Sequence, residues 1–151
     1  MSAYEETIAA VATPPGEGAI AMVRISGPDT KKILAGIFKT QSPHPKPRTA
    51  SFGKILDGED MVDQVLVTRF EAPASFTGED MAEICCHGGV LLAAKILELV
   101  LRHGARAAEP GEFSQRAFFN AARAALPEPL ATMSHVTAPA LTFSLKSAMP
   151  V

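Results

Sequence analysis

Met81-Ala82-Glu83-Ile84-Cys85-Cys86-His87-Gly88-Gly89 is the stretch on which the fold class turns. Met81–His87 reads as a strand, and Gly88-Gly89 opens a helix that runs through His103. Gly104 stops that helix in the usual C-terminal way. The two glycines suit a junction where helix and sheet approach closely. Within the helix Lys95, Glu98 and Arg102 form a narrow polar stripe and nearly everything else is apolar, which predicts a helix covered on most sides.

Upstream, Thr7–Ala12 reads as a short strand, followed by the Pro/Gly-shaped loop Thr13-Pro14-Pro15-Gly16-Glu17-Gly18. Ala19–Ile25 alternates as a second strand, with Ile20, Met22 and Arg24 on one face and Ala21, Val23 and Ile25 on the other. Ser26-Gly27-Pro28-Asp29 starts a helix that is predicted to reach about Lys39, with Ile33, Leu34, Ile37 and Phe38 at helical spacing. Gln41–Arg48 holds three prolines and reads as a surface loop. Ser51–Leu56 and Met61–Phe70 are strands of a hairpin turning at Asp57-Gly58-Glu59-Asp60. In the second of them Val65 and Val67 share one face, Leu66 and Phe70 the other. Glu71–Gly78 reads as a loop.

Downstream, Glu109-Pro110-Gly111-Glu112 is a second helix start, leading into Phe113 to about Ala122. Strands, helix, hairpin, strand, helix and helix in that order predict an α+β domain: a mixed, mainly antiparallel sheet with helices packed on one face. From about Ala121 the pattern changes. Residues 121–151 hold four prolines, few charges and no sustained period, and read as a poorly ordered tail after a domain of residues 1–120.

Composition narrows the function classes. The 151 residues are 47% hydrophobic and 20% charged, enough apolar material for a core and too much for wholesale disorder. A formal net charge of -2 argues against a protein that coats nucleic acid with a basic surface, and leaves room for a local basic pocket. The apolar run near Val90–Leu101 is broken by Lys95 and Glu98 and is too short for a bilayer, and the acidic N-terminus lacks a signal peptide's features; a cytoplasmic location is the expectation. Cys85 and Cys86 are neighbours on a strand and point to opposite faces, so they read as two small core residues in a reducing compartment. No Cys-x-x-Cys spacing suggests a metal site.

Four segments stand out as places for chemistry: the Thr13–Gly18 loop, Arg24-Ile25-Ser26-Gly27, Phe76-Thr77-Gly78-Glu79-Asp80 leading to Glu83, and Cys86-His87-Gly88-Gly89. Each has a plain structural reading. The loop is a turn, Arg24 reaches solvent or pairs with Glu83, Glu79 and Asp80 are a solvated pair, and His87 ends a strand. Together they suggest a site. An arginine and a glutamate on strands of one sheet can read a flat heterocycle, since guanidinium offers a rigid fork of donors and a carboxylate accepts from an amino group and a ring N–H.

Three blocks carry a resemblance: Thr7 through Ile20 with Val23-Arg24-Ile25-Ser26-Gly27; Ser75 through Ile84 with Cys86-His87-Gly88-Gly89; and Gly104-Ala105-Arg106 with Glu109 through Asn120. Over residues 4–120 the chain resembles the N-terminal domain of the MnmE (TrmE) family of tRNA-modification GTPases. The resemblance implies a fold like the tetrahydrofolate-binding domain of aminomethyltransferases, binding of 5-formyl-tetrahydrofolate or a related tetrahydrofolate, and pairing into a homodimer whose second subunit can complete the pocket. For the full-length family it also implies an inserted GTPase domain, an FAD-dependent partner (MnmG, also called GidA), and tRNA whose wobble uridine receives an aminomethyl-type group. Arg24 and Glu83 match the family's folate-contacting residues, with the Thr13–Gly18 loop shaping the pocket. A third contact, a lysine, falls on Ala122, with Arg123 an off-register substitute.

The chain also departs from the family. After Asn120 it reads Ala124-Ala125-Leu126-Pro127-Glu128-Pro129 where the family continues a helix, as a truncated gene, a frameshift or a cloned fragment would. No Gly-x-x-x-x-Gly-Lys-Ser/Thr occurs, so GTP has no recognisable cradle and is not expected to bind these residues. The C-terminal Cys-Ile-Gly-Lys-type ending of the family is absent, and Cys85 stands where a histidine is common. The leading expectation is a folate-binding, dimerising module that is not catalytic alone. Two alternatives compete with it. One is a stand-alone folate-dependent one-carbon transferase using His87 and Asp80 as acid and base; the other is a vestigial or regulatory pairing fragment that binds nothing.

Overall fold

The computed structural model describes residues 5–42 and 45–125. Toward one end of the sheet lies the hairpin of β4 (Ala50–Asp57) and β5 (Asp60–Phe70), with a bulge between Ile55 and Leu56. Strand β6 (Met81–His87) pairs antiparallel with β5, and β2 (Ile20–Ser26) antiparallel with β6. Strand β1 (Ile8–Val11) returns antiparallel to β2. The flanks are β3 (Phe38–Thr40), antiparallel to β4, and β7 (Arg106–Ala107), parallel to β1. The order is β3-β4-β5-β6-β2-β1-β7, a mixed and mainly antiparallel sheet in an α+β fold, as the order of elements predicts.

Alternation decides which face is dry. Ala21, Val23 and Ile25 of β2, Ala82, Ile84 and Cys86 of β6, and Val65 and Val67 of β5 point to one side and are buried there. Helices α1 (Thr30–Ile37) and α2 (Val90–Arg102) cover that side, contributing Ile33, Leu34 and Ile37, and Ala93, Ile96, Leu99 and Val100. Each fully buried branched aliphatic contributes about 1.5–3 kcal/mol, so this single layer of contacts is the main source of stability. The other face carries Met22, Arg24, Glu83, Cys85, Phe52 and Leu66; the last two are exposed.

Several details differ from the sequence expectation. Helix α1 stops at Ile37, and Phe38 is strand rather than helix: it pairs with Ile55, and its ring fills the space above Gly53 where a side chain would otherwise sit. Strand β7 has no pattern of its own; Arg106 N–H donates to Thr7 O at 2.8 Å and Ala108 N–H to Ala9 O at 2.9 Å. Among the described residues helix α2 is covered on one side, and Val90 and Leu91 are exposed at its start. Helix α3 (Glu112–Ala124) does not join the other two, and its Phe113 reaches Arg24 on the opposite face. It also extends through positions 121–124 of the segment read as a tail; residues 126–151 lie outside the described residues.

The Gly-Gly junction after β6 has a definite steric cause. Gly88 lies directly against the backbone of Gly18 and Ala19, and its N–H donates to Ala19 O at 2.9 Å. A Cβ at position 88 would run into the Gly18 carbonyl oxygen. Gly88→Ala is therefore expected to lower stability by about 1–3 kcal/mol. Gly18→Ala meets only ordinary contacts and is expected to leave the thermal midpoint nearly unchanged. Equal melting of the two variants would contradict this account of the junction.

Candidate functional site

The register between β2 and β6 sets Arg24 directly opposite Glu83. Both side chains stand on the face that α1 and α2 leave open. Arg24 donates from Nε at 3.1 Å and from Nη2 at 2.8 Å, both to Glu83 Oε1. Among the described residues, Glu83 Oε2 and Arg24 Nη1 have no hydrogen-bond partner. Two aromatic rings flank the guanidinium: its carbon lies 5.5 Å from the Phe76 centroid and 5.7 Å from that of Phe113. The pair is partly sheltered, with side-chain exposures of 25% and 18%.

Phe76 sits on a loop that is pinned at nearly every residue. Ser75 Oγ donates to Glu79 O at 2.6 Å, and Asn120 Nδ2 donates to Thr77 O at 2.7 Å. The Ser26 hydroxyl lies 2.7 Å from Thr77 Oγ1 and donates to Glu79 Oε2 at 2.7 Å. Asp80 closes the loop: its backbone O accepts from Gly27 N–H, its carboxylate accepts from Ala72 N–H, and it pairs with Lys31 at 3.1 Å. Burial opposes ionisation of Asp80, yet the Ala72 N–H and the Lys31 ammonium hold its carboxyl below the ordinary value. Lys31 is raised in turn, first by its hydrogen bond to Asp80.

Beneath the loop lies a buried charge network centred on Arg116. This side chain is fully buried; it donates to Glu6 O at 2.9 Å, to Glu79 Oε2 at 3.2 Å and to Glu112 Oε1 at 3.0 Å. Arg106 reaches Glu112 at 2.8 Å from the other side and Glu6 at 2.9 Å. The hydrogen bond from Arg106 chiefly lowers the Glu112 pKa from 4.5 to about 2, against the opposing effect of burial. Glu79 is thus a buried structural carboxylate and not half of a solvated pair.

The other segments named from the sequence do not gather around Arg24. The Thr13–Gly18 loop lines a cavity of about 510 Å³ with Val11, Ile20 and the first turns of α2. Neither Arg24 nor Glu83 lines that cavity. His87 is largely exposed at the far end of β6, its Nδ1 2.8 Å from Asp63 Oδ1. Asp80 precedes the near end of the same strand, roughly 20 Å away at the rise of extended chain, so the two cannot serve one reacting atom as acid and base. Burial pushes the Cys85 and Cys86 thiols up, aided by Glu83 and Asp63 respectively, which leaves them poor nucleophiles. Position 122, where the resemblance places a lysine, is an exposed alanine on α3. Among the described residues no three His, Cys, Asp or Glu side chains converge on a metal position.

Sequence reasoning missed the roles of Phe76, Phe113 and Arg116. The Glu112–Arg116 spacing of four in a helix was a readable signal for an ion pair. The aromatic contacts of Arg24 join segments far apart in the chain and carry no local signature.

Comparison with known proteins gives one consistent result. A family model described as "GTP-binding protein TrmE N-terminus" matches residues 7–122. The tRNA modification GTPase MnmE of Thermotoga maritima is 53% identical over 115 residues, which cover 76% of this chain and 25% of the relative. The protein of the same name from Chlamydia caviae is 52% identical over 115 residues, covering 76% of this chain and 26% of the relative. That from Carboxydothermus hydrogenoformans is 48% identical over 122 residues, covering 77% and 26%. The chain spans about a quarter of the length of these curated relatives.

The charge network fixes the sign of an acid response. Because Glu112 is depressed in the folded protein, its contribution is fully present above pH 4.5 and is lost as pH falls toward about 2. Thermal midpoints measured across that window should fall steadily. In Arg106→Ala the largest cause of the depression is gone, so the Glu112-linked fall should be smaller and should level off at a higher pH. Arg116→Met strands Glu79 and Glu112 without their shared cation and should cost about 3–5 kcal/mol. A wild-type midpoint that stays flat through the window would refute this assignment.

Proposed function

The chain belongs to the TrmE N-terminal family, and from that premise we propose that it is a folate-binding, dimerising module of a tRNA wobble-uridine modification protein. The ligand is 5-formyl-tetrahydrofolate or a close relative. The observation that carries the reading is the Arg24–Glu83 pair. The two side chains fix each other through one carboxylate oxygen and leave a second acceptor, Oε2, and a second donor group, Nη1, without a partner among the described residues. A pterin amide edge presents the complement, an N–H beside a carbonyl. Charged hydrogen bonds at a preorganised pair suit recognition of that edge. In the longer relatives the same module would work beside a GTPase domain, the FAD protein MnmG and tRNA in the cytoplasm. No GTP site is assigned to these residues.

The reading extends to pairing with a second copy. Phe52, Leu66, Cys85 and Met22 form a cross-strand row over four neighbouring strands on the uncovered face, one register step from Arg24 and Glu83. Phe52 is 61% and Leu66 46% exposed. A contiguous apolar row of this kind beside a polar site is the type of surface that another chain covers.

Two measurements test the proposal. Calorimetric titration with 5-formyl-tetrahydrofolate should show saturable binding that Arg24→Ala weakens by about 1–3 kcal/mol. Glu83→Gln should weaken it comparably while leaving the melting point unchanged, because the amide keeps an oxygen for Arg24 and turns a donor toward the ligand's N–H. A folded wild-type chain that gives no heat and no thermal stabilisation would exclude the folate reading. For pairing, light scattering should report a dimer that Leu66→Glu converts to monomer; a monomeric wild-type chain would exclude it.

A further inference from the structure

Phe76 is 53% exposed, on a loop whose flanking side chains Thr77 and Glu79 are buried to 0% and 1%. The loop is not loose: Ser26, Thr77, Glu79, Asp80 and Asn120 tie it down through side-chain hydrogen bonds. A large apolar ring held half in water by a rigid polar loop contributes little to the core. Its one ring-face contact among the described residues is the Arg24 guanidinium, 5.5 Å from its centroid. Phe113 lies on the same guanidinium at 5.7 Å but is itself only partly exposed, on α3.

We propose that Phe76 is the stacking wall of the ligand site, the residue against which the flat heterocycle lies while Arg24 and Glu83 read its edge. The inference rests on the folate reading above and deepens it. Edge recognition by one donor and one acceptor fixes a ring within a plane but leaves it free to tilt out of that plane. A face contact removes this freedom, and an aromatic wall supplies it for any planar ring. Because the loop is already fixed, Phe76 loses little further freedom when the ligand arrives.

The test titrates the full chain and its Phe76→Leu and Phe76→Tyr variants with 5-formyl-tetrahydrofolate, with the melting point of each as a check on folding. Phe76→Leu keeps apolar bulk and removes the ring; its affinity should fall roughly ten-fold, the scale of stacking a nucleobase on an aromatic side chain. Phe76→Tyr should restore affinity to within about three-fold. The bound ligand should also lose absorption intensity in its near-ultraviolet band with the wild-type chain and with Phe76→Tyr, and not with Phe76→Leu. Wild-type binding that Phe76→Leu leaves unaltered in affinity and absorption overturns this assignment alone. No binding by the folded wild-type chain overturns both this assignment and the folate reading.

Discussion

Arg116 is the interaction on which the site end of this molecule depends. A fully buried guanidinium is tolerable only if its charge is balanced, and here Glu79 and Glu112 balance it while the Glu6 carbonyl accepts a further hydrogen bond. Those partners come from three places in the chain: the segment before β1, the loop before β6 and the first turn of α3. The α1–α2 layer holds the sheet together by apolar burial, but among the described residues α3 has no comparable apolar seat. What docks it is charge, together with the Asn120 hydrogen bond to the same loop. Replacing that network with apolar residues would not necessarily weaken the fold. It would, however, remove the directional bonds that set where α3 and the loop stand relative to each other.

That relative placement is what makes the Arg24 site. Arg24 and Glu83 need only strand register to face each other, and the register is fixed by the dry face of the sheet, since a slip of one residue would turn Val23 and Ile84 into water. The aromatic rings around them need more. Phe76 is carried by the loop and Phe113 by α3, and both elements converge on Arg116. Phe113 and Arg116 are three residues apart on one helix, so the bond that seats Arg116 also orients the ring. The polar pair belongs to the sheet and the aromatic pair to the charge network, and Ser26 of β2 joins the two through Thr77 and Glu79.

This division explains what the sequence disclosed. The strands, the hairpin at Gly58 and the α+β class follow from alternation and turn residues, which act locally. Arg24 and Glu83 were legible because each interrupts an apolar strand, and a charge in such a place needs a reason. Glu79 was misleading because Glu79-Asp80 after glycine looks like any solvated turn, and only the remote Arg116 makes it a core residue. Phe38 was assigned to a helix because its spacing fits one; the space above Gly53, fifteen residues on, draws it into a strand instead. Among the described residues only one side of α2 is covered, because an apolar helix surface says that something can be buried and not which element does it.

The arrangement favours recognition over chemistry. A transfer reaction needs an acid or base within hydrogen-bond reach of the reacting atom, and the groups near Arg24 are otherwise committed. Asp80 holds Lys31 and the Ala72 N–H, Glu79 holds Ser26 and Arg116, and the neighbouring thiols are shifted away from ionisation. His87, the exposed imidazole on the same strand, is oriented by Asp63 at the opposite end. Among the described residues, what remains open beside the Arg24–Glu83 pair is the Glu83 Oε2 acceptor, the Arg24 Nη1 donor group and one half-exposed ring. Those are the elements that hold a planar heterocycle in a fixed orientation, and they would leave its reactive carbon for another surface to address.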